Sequence, residues 1–346
     1  MAKINVRSPY FVNLSTTNLT SAKLEVLIYT GAANTTWVGS PQYTLEATAI
    51  DDKVSFEIAE LIKDYIPALL GGTSTEFYTT VYVDYQVTES ISSVAQTPTQ
   101  TYGLRAFYGY GYFQDEANPQ LDVMALQSNT TIIKNADGTV TIPIDNENIT
   151  TFTYLLNSVV VYTYSYVGGL KIEDQIVYLT NTTLGVPYDV DEAQVTDGVD
   201  ITTITIKEKE ECKYTPYMLT FINKFGAYQE IWFFKNSQLM MGTTKTSYKS
   251  NILTNGSYKL YDPQVKLLSK NGNQELTLTS DYYPEAYNEI FRQLFLSEKV
   301  WIEYEGNSLG VNIENRSIKY QTTLTEKLIS YTIDVSFAFD TINNIR

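Results

Sequence analysis

Two stretches late in the chain decide the fold: Asp281-Tyr-Tyr-Pro-Glu-Ala-Tyr-Asn-Glu-Ile-Phe-Arg-Gln-Leu-Phe-Leu296 and Leu328-Ile-Ser-Tyr-Thr-Ile-Asp-Val-Ser-Phe-Ala-Phe-Asp340. In the first, Pro284 suits a first helical position and Glu285 complements a helix N-terminus. Tyr283, Tyr287, Ile290, Phe291 and Leu294 follow at spacings that share one stripe, which predicts a helix over 284–296. In the second, Ile329, Tyr331, Ile333, Val335, Phe337 and Phe339 alternate with Ser330, Thr332, Asp334, Ser336 and Ala338, the signature of a half-buried strand. Lys299-Val-Trp-Ile-Glu-Tyr304, between them, has strand composition. The expectation is a helix packed on a sheet that is wet on its far side, with Tyr287, Ile290, Phe291, Leu294, Ile333, Val335, Phe337 and Phe339 as the core.

Working outward, the earlier chain reads as strands broken by Gly, Asn and Asp. Leu24, Val26 and Ile28 alternate with polar neighbours; Gln42 to Ala49, Glu76 to Val87 and Thr101 to Phe113 read as further strands. A short helix is expected at 56–66, with Ser55 as cap, Ile58, Leu61, Ile62 and Tyr65 as its stripe, and Pro67 as its stop. Thr131 to Lys134, Asn135-Ala-Asp-Gly138 and Thr139 to Ile144 predict a hairpin, and Thr151 to Val167, bounded by Gly168-Gly169, a Tyr-rich strand. Tyr217 to Phe234 reads as strand, Gly226-centred turn, strand, and Gln274 to Thr279 as the strand before the helix.

The 29 tyrosines and the many Thr, Ile and Val residues in short runs point the same way, and 346 residues exceed one average core. The expected fold class is therefore mainly β and multidomain. An immunoglobulin- or fibronectin-like β-sandwich spans 1–118, a small β-domain or insertion 119–213, and a C-terminal β-sandwich carrying one packed α-helix 214–346.

A net charge of −15 opposes specific nucleic-acid binding and attachment to an anionic membrane. Met1 to Arg7 lacks the apolar core of a signal peptide, and no run approaches a membrane span, so a soluble, unexported chain is expected. The Asn-x-Ser/Thr triplets at Asn13, Asn18, Asn34 and Asn181 are what a Thr-rich chain makes by chance. The lone Cys212 excludes an intrachain disulfide framework and is expected as a small buried or edge residue.

The absence of histidine removes Ser-His-Asp and Cys-His nucleophiles, histidine bases and histidine metal ligands together. Carboxylate-only glycoside hydrolysis survives, with Asp84, Asp115, Glu116, Asp189, Asp191, Glu192, Glu303 and Glu305 as candidates, but 39 acidic residues produce such pairs by accident. Asp189-x-Asp191-Glu192 with Asp197-Gly-x-Asp200 departs from the order of a calcium loop and reads as a solvated loop. Gly71-Gly72 and Gly168-Gly169 lack the lysine and further glycines of a phosphate loop. No catalytic residue, cofactor or metal is expected. Tyr108, Tyr110 and Tyr112, separated by glycines, are the candidate interface or glycan-stacking residues, weighed against a sheet face simply filled by tyrosine.

One resemblance is carried by Cys212-Lys-Tyr-Thr-Pro-Tyr-Met-Leu-Thr-Phe-Ile-Asn-Lys-Phe-Gly-Ala-Tyr228, Ile231-Trp-Phe-Phe234, Leu276-Thr-Leu-Thr-Ser280 and Leu294-Phe-Leu-Ser-Glu-Lys-Val-Trp-Ile302, in that order. The series resembles the tail and neck (ring) structural proteins of bacteriophages that infect Bacteroidota, the crAss-like phages first among them. The closing run from Leu328 to Arg346 is similar to the end of the same proteins. The resemblance implies a virion component assembled in the host cytoplasm. It would form a homo-oligomeric ring, twelve-fold if matched to the portal, build part of the DNA conduit, and contact neighbouring tail, neck or portal proteins. The last domain would supply the ring core and the first a peripheral decoration. A receptor-binding, adhesin-like module that recognises glycan is the alternative, and a carboxylate-dependent glycosidase the third.

Overall fold

The computed structural model describes residues 3–66, 80–136, 138–145, 147, 149–165, 176–181, 185, 189–315, 317 and 328–342. Pro67, Gly71, Gly72, Tyr166, Gly168, Gly169 and Tyr188 lie outside them. The chain is mainly β, 54% strand against 7% helical, so its cohesion rests on sheets. It divides into two compact units: Met1–Glu210 with Phe221–Glu230 and Glu289–Glu298, and Glu211–Thr220 with Ile231–Asn288 and Lys299–Arg346. This division differs from the three-part expectation, since no unit boundary falls near residue 118.

The first unit opens with β1 (Lys3–Asn5), β2 (Phe11–Ser15), β3 (Leu19–Tyr29), β4 (Tyr43–Thr48), β5 (Lys53–Glu57), α1 (Ala59–Lys63), β6 (Thr80–Ile91), β7 (Val94–Ala95) and β8 (Thr99–Phe107). One sheet runs β1-β8-β6-β3-β4, β7 adds to β6, and β2 pairs with β5 separately. Leu24, Val26 and Ile28 turn inward from β3 as their alternation predicts, opposite Val83 and Val87 of β6. Among these apolar groups Asp84 is fully buried. It accepts from the Tyr29 hydroxyl (2.9 Å), Asn34 Nδ2 (2.8 Å) and Gly103 N–H (2.7 Å), which satisfies its lone pairs and makes it structural. The helix is shorter than the expected 56–66. Ser55 lies within β5 and donates to Asn13; the cap position is Ile58, and the Glu57 carboxylate before it accepts the Ala59 N–H at 2.8 Å.

The same unit continues with β9 (Thr131–Asn135), β10 (Thr141–Asp145), β11 (Thr151–Leu156), β12 (Val159–Ser165), β13 (Ile176–Thr180), β14 (Glu192–Thr196) and β15 (Ile201–Lys209). The expected hairpin of residues 131–144 does not form. The turn is present, with Gly138 N–H on the Asn135 carbonyl at 2.8 Å, but β9 pairs parallel with β15 and β10 antiparallel with β13. Ile142 and Ile144 enter one core with Phe152, Tyr154, Val195 and Ile204, with Ile132 of β9 packed against it, and Lys134, fully buried, reaches Glu208 opposite it on β15. Charges are neutralised locally. Lys3 and Arg105, neighbours across the parallel β1/β8 pair, both bind Asp145, at 2.6 and 2.5 Å.

The second unit is built on a seven-stranded sheet. Its elements are β16 (Tyr217–Ile222), β17 (Tyr228–Phe233), β18 (Ser237–Lys249), β19 (Val265–Thr279), β20 (Tyr283–Pro284), β21 (Val300–Tyr304), β22 (Asn307–Ile313), β23 (Leu328–Ile329) and β24 (Thr332–Phe337), and the sheet order is β17-β16-β21-β22-β24-β19-β18. The Gly226 turn falls where expected, at φ +78°, with residues 221–230 counting in the first unit. Ile333, Val335 and Phe337 are buried as the alternation predicts. Phe339 is not core: it is 54% exposed, because the strand ends at Phe337 and the Thr341 N–H turns back onto the Gly272 carbonyl at 2.8 Å.

The helix predicted at 284–296 begins as a 3-10 turn, Glu285–Tyr287, and becomes α2 (Asn288–Leu296). Pro284 belongs to β20 and pairs with Leu328. Ile290, Phe291 and Leu294 are buried on one stripe, each such side chain contributing about 2 kcal/mol. Tyr287 is buried in the second unit, where its ring stacks on Tyr283 at 4.4 Å. Residues 289–298, however, count with the first unit and not with the C-terminal sheet.

Candidate functional site

The tyrosines singled out by sequence lie just past β8 and face inward. Tyr108 and Tyr110 are buried and Tyr112 half-buried. Glycine makes this possible, since a Cβ on Gly109 would sit 2.6 Å from both Asn5 Oδ1 and the Lys224 carbonyl. The main chains therefore meet closely, with Tyr110 N–H on the Lys224 carbonyl at 2.8 Å and Arg7 N–H on the Gly109 carbonyl at 3.0 Å.

Each hydroxyl at the ends of this run is used by residues 289–298. Tyr108 donates to Glu298 Oε2 and Tyr112 to Glu289 Oε1, both at 2.6 Å. Burial, and then these carboxylates, push both phenols well above the usual tyrosine range, so they remain donors. Burial pushes Tyr110 up to about 12. Cations cover the ring faces, Arg292 over Tyr112 at 3.6 Å and Arg7 over Tyr110 at 4.7 Å. The three rings thus fasten α2 within the first unit and offer no stacking face to a sugar. This corrects the expectation of exposed, ligand-facing tyrosines, and equally that of a plain sheet face.

The acidic candidates are scattered. Asp84 is the buried acceptor described above, Asp115 accepts the Tyr112 N–H at 2.7 Å, and Glu303 and Glu305 are exposed. Asp191 accepts the Asn157 N–H at 3.0 Å, and Asp197 the Val199 and Asp200 N–H groups at 2.8 Å, so this loop is held by its own backbone. Among the described residues no three His, Cys, Asp or Glu groups converge to hold a metal. Cys212 is exposed, not buried, in the segment before β16. Asn181 is fully buried with its Oδ1 on the Val140 N–H at 3.1 Å, which leaves no acceptor for glycan there. Among the described residues no helix is long and apolar enough to cross a membrane.

The feature that sequence inspection passed over is the β18/β19 ribbon. Asn255-Gly256 is the strongest short hairpin signal there is. Both residues take positive φ (+51° and +77°), and Thr254 and Ser257 exchange N–H to carbonyl bonds at 2.9 and 3.1 Å. From this tip the strands pair continuously from Lys249↔Val265 to Ser237↔Leu278, with one bulge at Thr246/Ser247. β24 flanks β19 only from Glu275 to Thr279, and β18 is the last strand of its sheet. Beyond Gly272 the ribbon continues as two strands, and nearly every residue of β18 is exposed.

Its exposed surface is apolar and cationic. Alternation places Leu239, Met241, Lys245 and Lys249 on one face with their cross-strand partners Leu276, Gln274, Lys270 and Val265. Leu276 is buried in the sheet, so the packed face runs outward into solvent through Met241 (59% exposed), and at the tip Leu260 is 92% and Tyr261 79% exposed. Leu239, Met240, Leu267 and Leu268 are exposed along the same ribbon. Comparison of the chain with protein-family models, with curated proteins and with solved structures finds no match.

Proposed function

We propose that this chain is a non-enzymatic structural protein of a bacteriophage particle, which assembles with copies of itself into a ring of the tail or neck and contacts the rings on either side. The observation that supports this is the β18/β19 ribbon, a long, unflanked sheet extension of mixed apolar and lysine side chains that ends in an exposed edge strand. Such an edge is a template for pairing with another chain, and its repetition in identical subunits gives a heterologous contact that closes into rings. A net charge of −15 suits a conduit through which DNA slides without adhering. In this reading an immunoglobulin- or fibronectin-like arrangement of β1–β8 is a peripheral decoration. The glycan-binding alternative is not favoured, since Tyr108 and Tyr110 are enclosed.

The test is the mass and shape of the purified protein across a concentration series, by light scattering on a sizing column and negative-stain microscopy. Closed rings, alone or on addition of a portal protein, are the expected result. A persistent monomer under both conditions overturns the reading.

A further inference from the structure

The ribbon differs in charge from the rest of the molecule. Residues 237–279 hold five lysines against Asp262 and Glu275, a net charge of +3, which leaves −18 on the remainder of a −15 chain. Lys266 is answered on the ribbon itself by Asp262 at 2.9 Å. Lys245 and Lys270 are not: they stand directly opposite each other across the strands, and neither makes an ion pair among the described residues. Like charges directly opposed weaken a strand pair, and a carboxylate brought between them reverses that effect. A lone two-stranded ribbon is also marginally stable in water, so a third partner along it supplies what the fold leaves out.

The first unit carries a surface of the opposite kind. A cavity of about 450 Å³ has Asp122, Asp145, Asp197 and Asp200 on its wall beside Lys3, and Met124, Ile149 and Ile204 among its apolar lining. Lys3 pairs with Asp122 at 3.1 Å and, with Arg105, answers Asp145, which leaves Asp197 and Asp200 as the wall's carboxylates with no ion pair among the described residues, while the Asp122 side chain is still 76% exposed. The Asp200 and Val199 N–H groups on Asp197 hold that carboxyl below the usual range. Its size and its mix of acid and apolar groups match the ribbon tip, where Lys259, Leu260 and Tyr261 are consecutive and the latter two are exposed.

Resting on the self-assembly proposed above, we infer that the ribbon of one copy docks on the acidic face of a second copy. Leu260 and Tyr261 seat in the cavity walled by Asp122, Asp197 and Asp200, and the lysines of the ribbon meet the surrounding carboxylates. The contact is heterologous, since ribbon and cavity are different elements of the chain, so each copy gives one and receives one. Opposed charge sets the orientation and speeds the encounter, and the apolar tip slows dissociation. Added salt weakens the contact by screening.

The test uses the full chain in four forms: wild type, Lys245→Glu/Lys259→Glu, Asp122→Lys/Asp200→Lys, and all four substitutions together. The four substituted residues are exposed, and circular dichroism and melting temperature verify that each form folds. The readout is the concentration at half-assembly from sedimentation velocity at low and high salt. Each double variant is expected to raise it at least tenfold and the quadruple variant to restore it to within about threefold of wild type, with Leu260→Ser/Tyr261→Ser weakening assembly at both salt concentrations. If wild type assembles and both double variants match it, the docking is overturned while the ring reading stands. If the basic ribbon instead retains a DNA duplex, or binds only another virion protein, self-docking is likewise overturned. If wild type does not assemble at any concentration, alone or with a portal protein, both fail.

Discussion

The Tyr108 hydroxyl donates to Glu298 Oε2 at 2.6 Å, and the other oxygen of the same carboxylate accepts from Arg7 Nε and Lys63 Nζ at 3.2 Å each. One side chain therefore ties β8's exit, the β1–β2 connection and α1 to the end of α2. Burial opposes the charge on Glu298, but the Tyr108 hydrogen bond, Arg7 and Lys63 outweigh it and hold the carboxyl below its usual range. Tyr108→Phe removes the phenol donor with little change of volume. A loss of about 1–2 kcal/mol is expected, seen as a lower urea midpoint at unchanged slope. Wild-type stability in this variant would mean that the hydroxyl bond contributes nothing net.

Acid should weaken the first unit through Asp145. Burial raises its pKa, but Arg105 and Lys3 outweigh burial and leave it lowered. A carboxyl depressed in the folded state stabilises above its unfolded value, and that stability is lost as pH falls through the folded value. Melting temperature should be level near neutrality and fall below about pH 4. Asp145→Asn should melt lower at neutral pH and show a shallower acid dependence.

Phe337 and Phe339 differ by two positions and should differ sharply in tolerance. Phe337 is buried with its ring edge-on to Tyr304 at 5.2 Å, whereas Phe339 is half in solvent. Phe337→Asp places a charge in the sheet's packed face at a cost of several kcal/mol and should not yield folded protein. Phe339→Asp should stay within about 0.5 kcal/mol of wild type by denaturant titration. Equal effects would displace the strand end assigned here.

Gly256 can be used to loosen the ribbon alone. Nothing lies within 4 Å of a Cβ added there, so Gly256→Val acts only through its φ of +77°. A cost of about 1–2 kcal/mol is expected, confined to the hairpin. Hydrogen exchange should accelerate at the amides of 243–270 while the global melt is unchanged.

Much of the second unit was readable because its signals are local. The alternation of Ile333, Val335 and Phe337 needs only its own element's period, as does the stripe of Ile290, Phe291 and Leu294 in α2 of the first unit. The misread positions are those where a distant chain decides. Phe339 continues the alternation, yet Thr341 bends the strand away toward Gly272. Tyr108, Tyr110 and Tyr112 look like a sheet face because their spacing is two, but Gly109 serves the close passage of Lys224, Gly111 that of Pro119, and the rings serve α2. Parallel pairs such as β1/β8 and β9/β15 leave no local trace, since their partners stand about a hundred and about seventy residues apart. The ribbon was legible in Asn255-Gly256 and in the Thr- and Lys-rich strands on either side. Polar alternation resembles a loop unless the turn is weighed first.

The first unit is discontinuous in sequence: it takes residues 221–230 and 289–298 from beyond Glu210. A ribosome therefore has to release nearly three hundred residues before Glu289 and Glu298 can reach the tyrosines that await them. Until then the Tyr108 and Tyr112 hydroxyls lack their carboxylate acceptors and Arg7 lacks Glu298. A gene cut after residue 210 would make that immature state permanent, so soluble domain expression has to be planned around residue 298 and not around the first apparent gap.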